Sequence, residues 1–127
     1  MRCRLASDLA YLLASGIAGK LDGVAAQWLP QTAVGVVLAA AGYPDTPRKG
    51  DIISGLDDAD QIGKVFHAGT SADAEGHILT NGGRVLCVVG LGDDVAAAKA
   101  QAYQALHLAH FDGMQYRRDI ADQAIKA

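Results

Sequence analysis

The run Thr80-Asn81-Gly82-Gly83-Arg84-Val85-Leu86-Cys87-Val88-Val89-Gly90-Leu91-Gly92 constrains the fold more than any other part of the chain. Val85 to Val89 is apolar and rich in β-branched residues, and glycines crowd both of its ends. A glycine inside regular structure costs about 0.5–1 kcal/mol relative to alanine, so such clustering has a backbone reason, either a positive φ or a close approach. Asn-Gly and Gly-Gly readily take the positive φ of tight turns. Lying between "HILT" and "RVLCVVG", Asn81-Gly82-Gly83 therefore predicts a β-hairpin. Gly90 and Gly92 would end the second strand and admit a helix against it.

The neighbouring segments extend the sheet. "GKVFHAGT" alternates Val65, His67 and Gly69 against Phe66, Ala68 and Thr70, which predicts a strand. Thr32 to Ala40 is a Val-rich run that fits a strand buried on both faces, and "AGYPDTPRKGD" follows it with turn chemistry. Past Gly92, Asp93 or Asp94 caps a helix whose Val95, Ala98, Ala102, Ala105, Leu106 and Ala109 share one face. That alanine seam can lie close to a sheet. "GMQYRRDI" predicts a last short strand, and Asp119 a cap for a final helix reaching Lys126. Near the start, Leu5, Leu9, Leu12, Leu13 and Ile17 are spaced for an amphipathic helix, with Ser7 or Asp8 at its head and Gly19 at its tail. "LDGVAAQWLPQ" has no sustained period and contains Pro30, so residues 21–31 read as a linker. The order of elements gives an α+β fold, a small mostly antiparallel sheet with flanking helices.

Composition excludes several functions. The 127 residues are half hydrophobic and carry a net charge of −3, with basic residues scattered, so no electrostatic footprint for nucleic acid or an anionic membrane is present. The apolar stretch "TAVGVVLAAAGYP" is too short to span a bilayer, and the first residues lack a secretory signal's apolar core. Cys3 and Cys87 form neither a disulfide framework nor a metal-ligand spacing. These features predict a soluble, reduced, cytoplasmic protein. Arg48-Lys49 and Arg117-Arg118, the densest basic spots, read as solvated surface.

Few residues offer chemistry. His67, Thr70, Asn81 and Arg84 surround two glycine-rich turns, where backbone N–H groups could converge on an anion and Arg84 could supply a fork of donors. The same glycines would equally serve as tight turns holding a small sheet. "GTSADAEG" is no phosphate-binding Walker loop, because it lacks the lysine after its last glycine. His107 and His110 stand three apart near Asp112, but without a further ligand cluster they are assigned no metal. Asp57-Asp58-Ala59-Asp60 reads as a solvated loop or a helix start. Trp28, Tyr43 and Tyr116 are too dispersed for a stacking platform.

Taken together, "GVVLAAAGYPDTPRKGD", "GKVFHAGT", "TNGGRVLCVVGLG" and "FDGMQYRRDI" resemble the carboxy-terminal domain of the phosphoribosylamine–glycine ligases, also called glycinamide ribonucleotide synthetases. The likeness runs from about Leu5 to Ile125. It implies that residues 1–20 are a terminal helix left over from an ATP-grasp domain, 21–31 a linker, and 32–127 the carboxy-terminal domain. The enzymes of this family use ATP with Mg or Mn to phosphorylate glycine, and 5-phosphoribosylamine then displaces phosphate. In the family an Arg-Phe-Gly-Asp-Pro-Glu motif, which helps bind metal and ATP phosphates, precedes the first helix; here it would lie upstream of Met1. The resemblance therefore implies a chain with no cofactor or catalytic residue of its own, whose partners are the remaining ATP-grasp and amino-terminal domains. His67, Thr70, Asn81 and Arg84 would line the substrate cleft. The competing reading is a free-standing, non-catalytic binding module derived from this domain. The corresponding domain of another ATP-grasp enzyme, such as a carboxylase, fits the "HAGT" and "TNGGRVL" motifs less well.

Overall fold

A computed structural model describes residues 2–126. Val85, Leu86 and Val88 are fully shielded from solvent, because the strand that carries them, β5 (Arg84–Gly92), is paired on both sides. β1 (Thr32–Ala39) runs antiparallel along one edge, with Val36 opposite Val88 and Val37 opposite Cys87. β2 (Lys64–His67) runs antiparallel along the other, with Phe66 opposite Cys87. The sheet order is thus β1-β5-β2. This is the antiparallel α+β arrangement that the strand signals predict.

One face of the sheet is closed by α3 (Val95–Leu106). Asp94 starts this helix by accepting a 2.7 Å hydrogen bond from the Ala97 N–H, and the seam of Ala98, Ala102, Ala105 and Leu106 is buried. Gly90 and Gly92 make the close approach possible. A Cβ on Gly90 would stand 2.3 Å from both Ala102 N and Ala98 O, and one on Gly92 2.4 Å from Ala98 N. Val34, Val36, Leu38, Leu86, Val88 and Phe111 complete this core. Each such side chain contributes roughly 1.5–3 kcal/mol on full burial. α2 (Leu56–Ile62) packs beside α3 and makes the acidic run Asp57-Asp58-Ala59-Asp60 helical, with Ala59 buried.

The structure corrects several sequence expectations. Along β1 burial alternates: Val34, Val36 and Leu38 are enclosed, whereas Gly35 and Val37 are exposed, so the strand is buried on one face only. Asn81-Gly82-Gly83 is not a hairpin turn. It carries the chain from β4 (Ile78–Thr80), which pairs with β3 (Thr70–Ala72) in a separate two-stranded sheet, into β5 of the main sheet. Neither Gly82 nor Gly83 has a positive φ. The actual hairpin joins β3 to β4, where the Asp73 carboxylate accepts from the Glu75 and His77 N–H groups and Gly76 takes φ +88°. The strand expected in "GMQYRRDI" reduces to one bridge, Gln115 against Ala39. The last helix is α4 (Asp122–Lys126), and the Asp119 side chain pairs with Arg117 instead of capping it.

The first helix, α1 (Leu9–Ile17), is shorter than its apolar spacing predicts and follows a 3₁₀ turn at Arg2–Arg4. Asp8 caps it by accepting from the Tyr11 N–H. Nothing on it is buried, and Ile17 is 90% exposed. A nine-residue helix without tertiary packing is marginal in water. In the monomeric chain, amide exchange at residues 11–17 is therefore expected to need almost no opening free energy, about 0 kcal/mol, while Val85 to Val89 exchange only through global unfolding. Strong protection of α1 in a demonstrated monomer would show instead that it packs on the sheet.

Candidate functional site

The corner where β2 leaves the sheet and β5 enters it brings four sequence-predicted residues together through their backbones. Beyond His67, the chain stays hydrogen-bonded to β5 for two further residues, Ala68 N donating to Val85 O at 3.0 Å and Gly69 N to Arg84 O at 2.9 Å. The Asn81 N–H then donates to Gly69 O at 2.7 Å. Here the glycines serve close approach: a Cβ on Gly69 would meet Gly82 Cα at 2.8 Å, and one on Gly83 would meet Tyr43 Cδ2 at 2.6 Å. Gly83 O accepts from Ala40 N, which fixes the end of β1 to the same corner.

The side chains separate into two groups. His67 Nδ1 lies 3.0 Å from Thr70 Oγ1, so these two are hydrogen-bonded to one another across the bend between β2 and β3. Arg84 is exposed at the start of β5 and has no carboxylate partner among the described residues. It lines a groove of about 410 Å³ with Val37, Tyr43, Gln115, Tyr116 and Arg117. It also lines a second, shallow one with Val37, Ala68, Gly83 and Cys87. His67, Thr70 and Asn81 line neither groove. Among the described residues, no hydrogen bond uses the N–H of Gly82 or Gly83, the two residues that precede Arg84 in the chain. Such a set can hold an anionic oxygen.

Arg48 and Arg117, one from each basic pair, are committed to carboxylates. Arg48 donates to Asp51 at 2.8 Å and to the Asp112 carboxylate and carbonyl, a clamp that holds its guanidinium pKa above the usual value. Arg117 is paired with Asp119, which likewise raises the arginine and lowers the aspartate. Arg48 and Arg117 are thus surface structure. Asp60, on α2, sits below the usual carboxylate range because Lys64 Nζ and the Val65 N–H both donate to it at 2.8 Å. Burial pushes the Cys87 thiol up.

The four corner residues include no carboxylate, the anionic ligand that hard divalent cations such as Mg usually take from a protein. Asp73, Glu75 and His77 do offer three ligand atoms within 4.8 Å of one another at the β3–β4 turn. Those groups are engaged in holding the turn, His77 Nδ1 standing 3.0 Å from Asp73 Oδ2. His107 and His110 diverge: the first ends α3, and the second pairs its backbone with Ser54. Two groove residues, Tyr43 and Gln115, escape the sequence reading. Tyr43 and Tyr116, which look dispersed along the chain, both line the groove with Arg84. A usable signal was Tyr43-Pro44 in a turn-rich segment, which fixes an aromatic at a bend. Among the described residues, no helix is long and apolar enough to cross a membrane.

Comparison with known proteins bears on this geometry. The family model described as phosphoribosylglycinamide synthetase, C domain, matches residues 33–123. Phosphoribosylamine–glycine ligase of Neisseria meningitidis serogroup B (strain MC58) is 72% identical over 122 residues, which are 96% of this chain and 29% of that protein. The ligase of Ralstonia nicotianae is 51% identical over 123 residues, again 29% of its length. A crystal structure of phosphoribosylamine–glycine ligase from Thermotoga maritima superposes with a TM-score of 0.68 at 38% identity, over 86% of this chain and 27% of that one. The chain thus spans about 29% of the length of the curated relatives it matches. With the motifs, the sheet and the family match in agreement, the chain belongs to the phosphoribosylglycinamide synthetase C-domain family.

Proposed function

We propose that this chain is the carboxy-terminal portion of a phosphoribosylamine–glycine ligase, cytoplasmic and acting in de novo purine biosynthesis. The observation that carries this reading is the 72% identity to the Neisseria ligase across almost the whole chain. ATP with Mg or Mn supplies phosphoryl transfer to the glycine carboxylate in the complete enzyme. The residues described here fit neither group, so the nucleotide site belongs to the preceding domains and the chain alone is inactive.

This chain's part is electrostatic. The amine of 5-phosphoribosylamine attacks the carbonyl carbon of glycyl phosphate, a C–N bond forms, and the C–O bond to phosphate breaks as inorganic phosphate leaves. Negative charge gathers on the carbonyl and phosphate oxygens on the way. Arg84, free of any carboxylate among the described residues, and the Gly82 and Gly83 N–H groups are the donors this chain offers to such charge. His67, held by Thr70, and Asn81 are candidate cleft residues by resemblance alone, since they line neither groove that Arg84 lines.

The test is a chimera in which this chain replaces the matching segment of the Neisseria ligase. It is expected to form glycinamide ribonucleotide at a rate within about tenfold of the parent, a difference of about 1.4 kcal/mol in barrier. Calorimetric titration of the chain alone with ATP and magnesium should show no saturable site. A folded chimera without activity overturns the reading. So does micromolar ATP binding by the chain alone, about 8 kcal/mol that its residues do not account for.

A further inference from the structure

We propose that a groove on the outer side of α3, closed by the chain's last residues, binds an aromatic carboxylate, a flat ring system bearing a single negative charge. The site is separate from the groove of Arg84, with which it shares only Tyr116, and it does not depend on the ligase reading. Spacing along the helix makes its floor. Ala96, Lys99, Ala100, Tyr103 and His107 lie on one side of α3, opposite the buried seam of Ala98, Ala102 and Ala105. Two of these five are alanines, so the floor is low between the longer side chains. Tyr116, Arg118 and Ile125 stand across from it and enclose about 600 Å³, within the size range of small-molecule sites.

The walls are rings that already hold one another. Tyr103 and Tyr116 have centroids 6.4 Å apart with a 55° tilt, and His107 meets Tyr116 edge-on at 6.3 Å. Tyr103 is also fixed at its far end, where its hydroxyl donates to Arg117 O at 2.6 Å. Walls that need no rearrangement lose little entropy when a flat ligand enters. Charge selects the other half of the ligand. The chain carries 14 acidic residues against 11 basic ones, yet among the described residues no carboxylate lines this groove, whereas Lys99, His107 and Arg118 do. Lys99 is neutralised by Asp122, and Arg117 by Asp119. Arg118 is exposed and has no carboxylate partner among the described residues, so one guanidinium charge is left over. A guanidinium fork matches a carboxylate in a bidentate pair. A phosphate dianion, or the polyphosphate of a nucleotide, would bring charge that nothing in the groove balances. One ring system with one carboxylate suits both the walls and the single free charge.

Nuclear magnetic resonance titration of the isotope-labelled chain tests this with indoleacetate, with indoleacetamide, which keeps the ring without the charge, and with acetate, which keeps the charge without the ring. Indoleacetate is expected to shift the amides of Lys99, Tyr103, His107, Tyr116 and Arg118 saturably, with a Kd of roughly 1 mM or below. The amide and acetate should each bind at least about tenfold more weakly, since each lacks half of what the groove offers. Arg118→Gln should leave the melting temperature within about 2 °C, as exposed substitutions do, and weaken indoleacetate binding by roughly tenfold or more. Ala100→Glu sets a carboxylate in the groove on an exposed helix position and should abolish binding, while Arg84→Ala should leave it unchanged. No saturation by about 10 mM overturns the proposal. So does equal affinity for the amide or for acetate, binding that survives Arg118→Gln or Ala100→Glu undiminished, or binding that is lost with Arg84→Ala and shifts Val37, Tyr43 and Gln115 instead.

Discussion

Arg84→Ala in a full-length ligase carrying this chain is expected to lower turnover with 5-phosphoribosylamine by roughly 30- to 1000-fold, about 2–4 kcal/mol of transition-state stabilisation. The reason is the contrast among arginines. Arg48 and Arg117 each have a carboxylate within hydrogen-bond reach, whereas Arg84 has none among the described residues and lines a groove with Tyr43, Gln115 and Tyr116. A guanidinium left uncompensated at the mouth of a cleft is suited to a charge that arrives with substrate. The isolated variant should keep its fold, because no side-chain hydrogen bond or ion pair among the described residues depends on Arg84. Steady-state rates and thermal melts together decide the matter. A lowered melting temperature with unchanged specific activity makes Arg84 a scaffold residue and removes the anion corner.

Gly90→Ala should be the most destructive small substitution in the sheet, costing roughly 3 kcal/mol or more and lowering the melting temperature by roughly 10 °C. Its added methyl would lie 2.3 Å from Ala102 N and Ala98 O, atoms of a helix backbone that cannot rotate aside. Either α3 lifts from β5, opening the core around Leu86 and Leu106, or β5 bends and loses pairing with its neighbours. Gly16→Ala is the control. A Cβ there meets nothing nearer than Leu21 Cδ2 at 4.0 Å, and α1 has no buried residue, so global melting should not move. If Gly90→Ala melts within a few degrees of the parent, the seam between α3 and β5 is looser than the structure shows.

Features written in adjacent residues are legible in this sequence, and those that depend on distant partners are much less so. The start of α3 is readable because Asp94 and the Ala98, Ala102 and Ala105 spacing lie within three turns of one helix. Asn81-Gly82-Gly83 misleads because glycine serves both positive φ and close approach, and only the position of Gly69 and Tyr43 shows that the second applies. The real turn was within reach, since an aspartate three residues before a glycine, Asp73 and Gly76, is an Asx-turn signal. β1 looks buried on both faces because no polar side chain alternates with its valines. Gly35 and Val37 carry no polar group, just like the core side, and composition alone does not distinguish a face covered by this chain from an uncovered one. For the corner, the motifs bring out His67, Thr70, Asn81 and Arg84, but the division of their side chains between two places follows from the bend at Ala68 and Gly69, which no spacing encodes.

The position of β5 also sets an order of events. It is the hub of the three-stranded sheet and yet its last strand in the chain, so β1 and β2 have no shared neighbour until residues 84–92 exist. Val36 must wait for Val88, far later in the chain, a separation that makes the contact order high and the search for pairing slow compared with a helical bundle. A nascent chain released before Arg84 would present two unpaired β edges and no place to bury them, the kind of species that associates with its own copies.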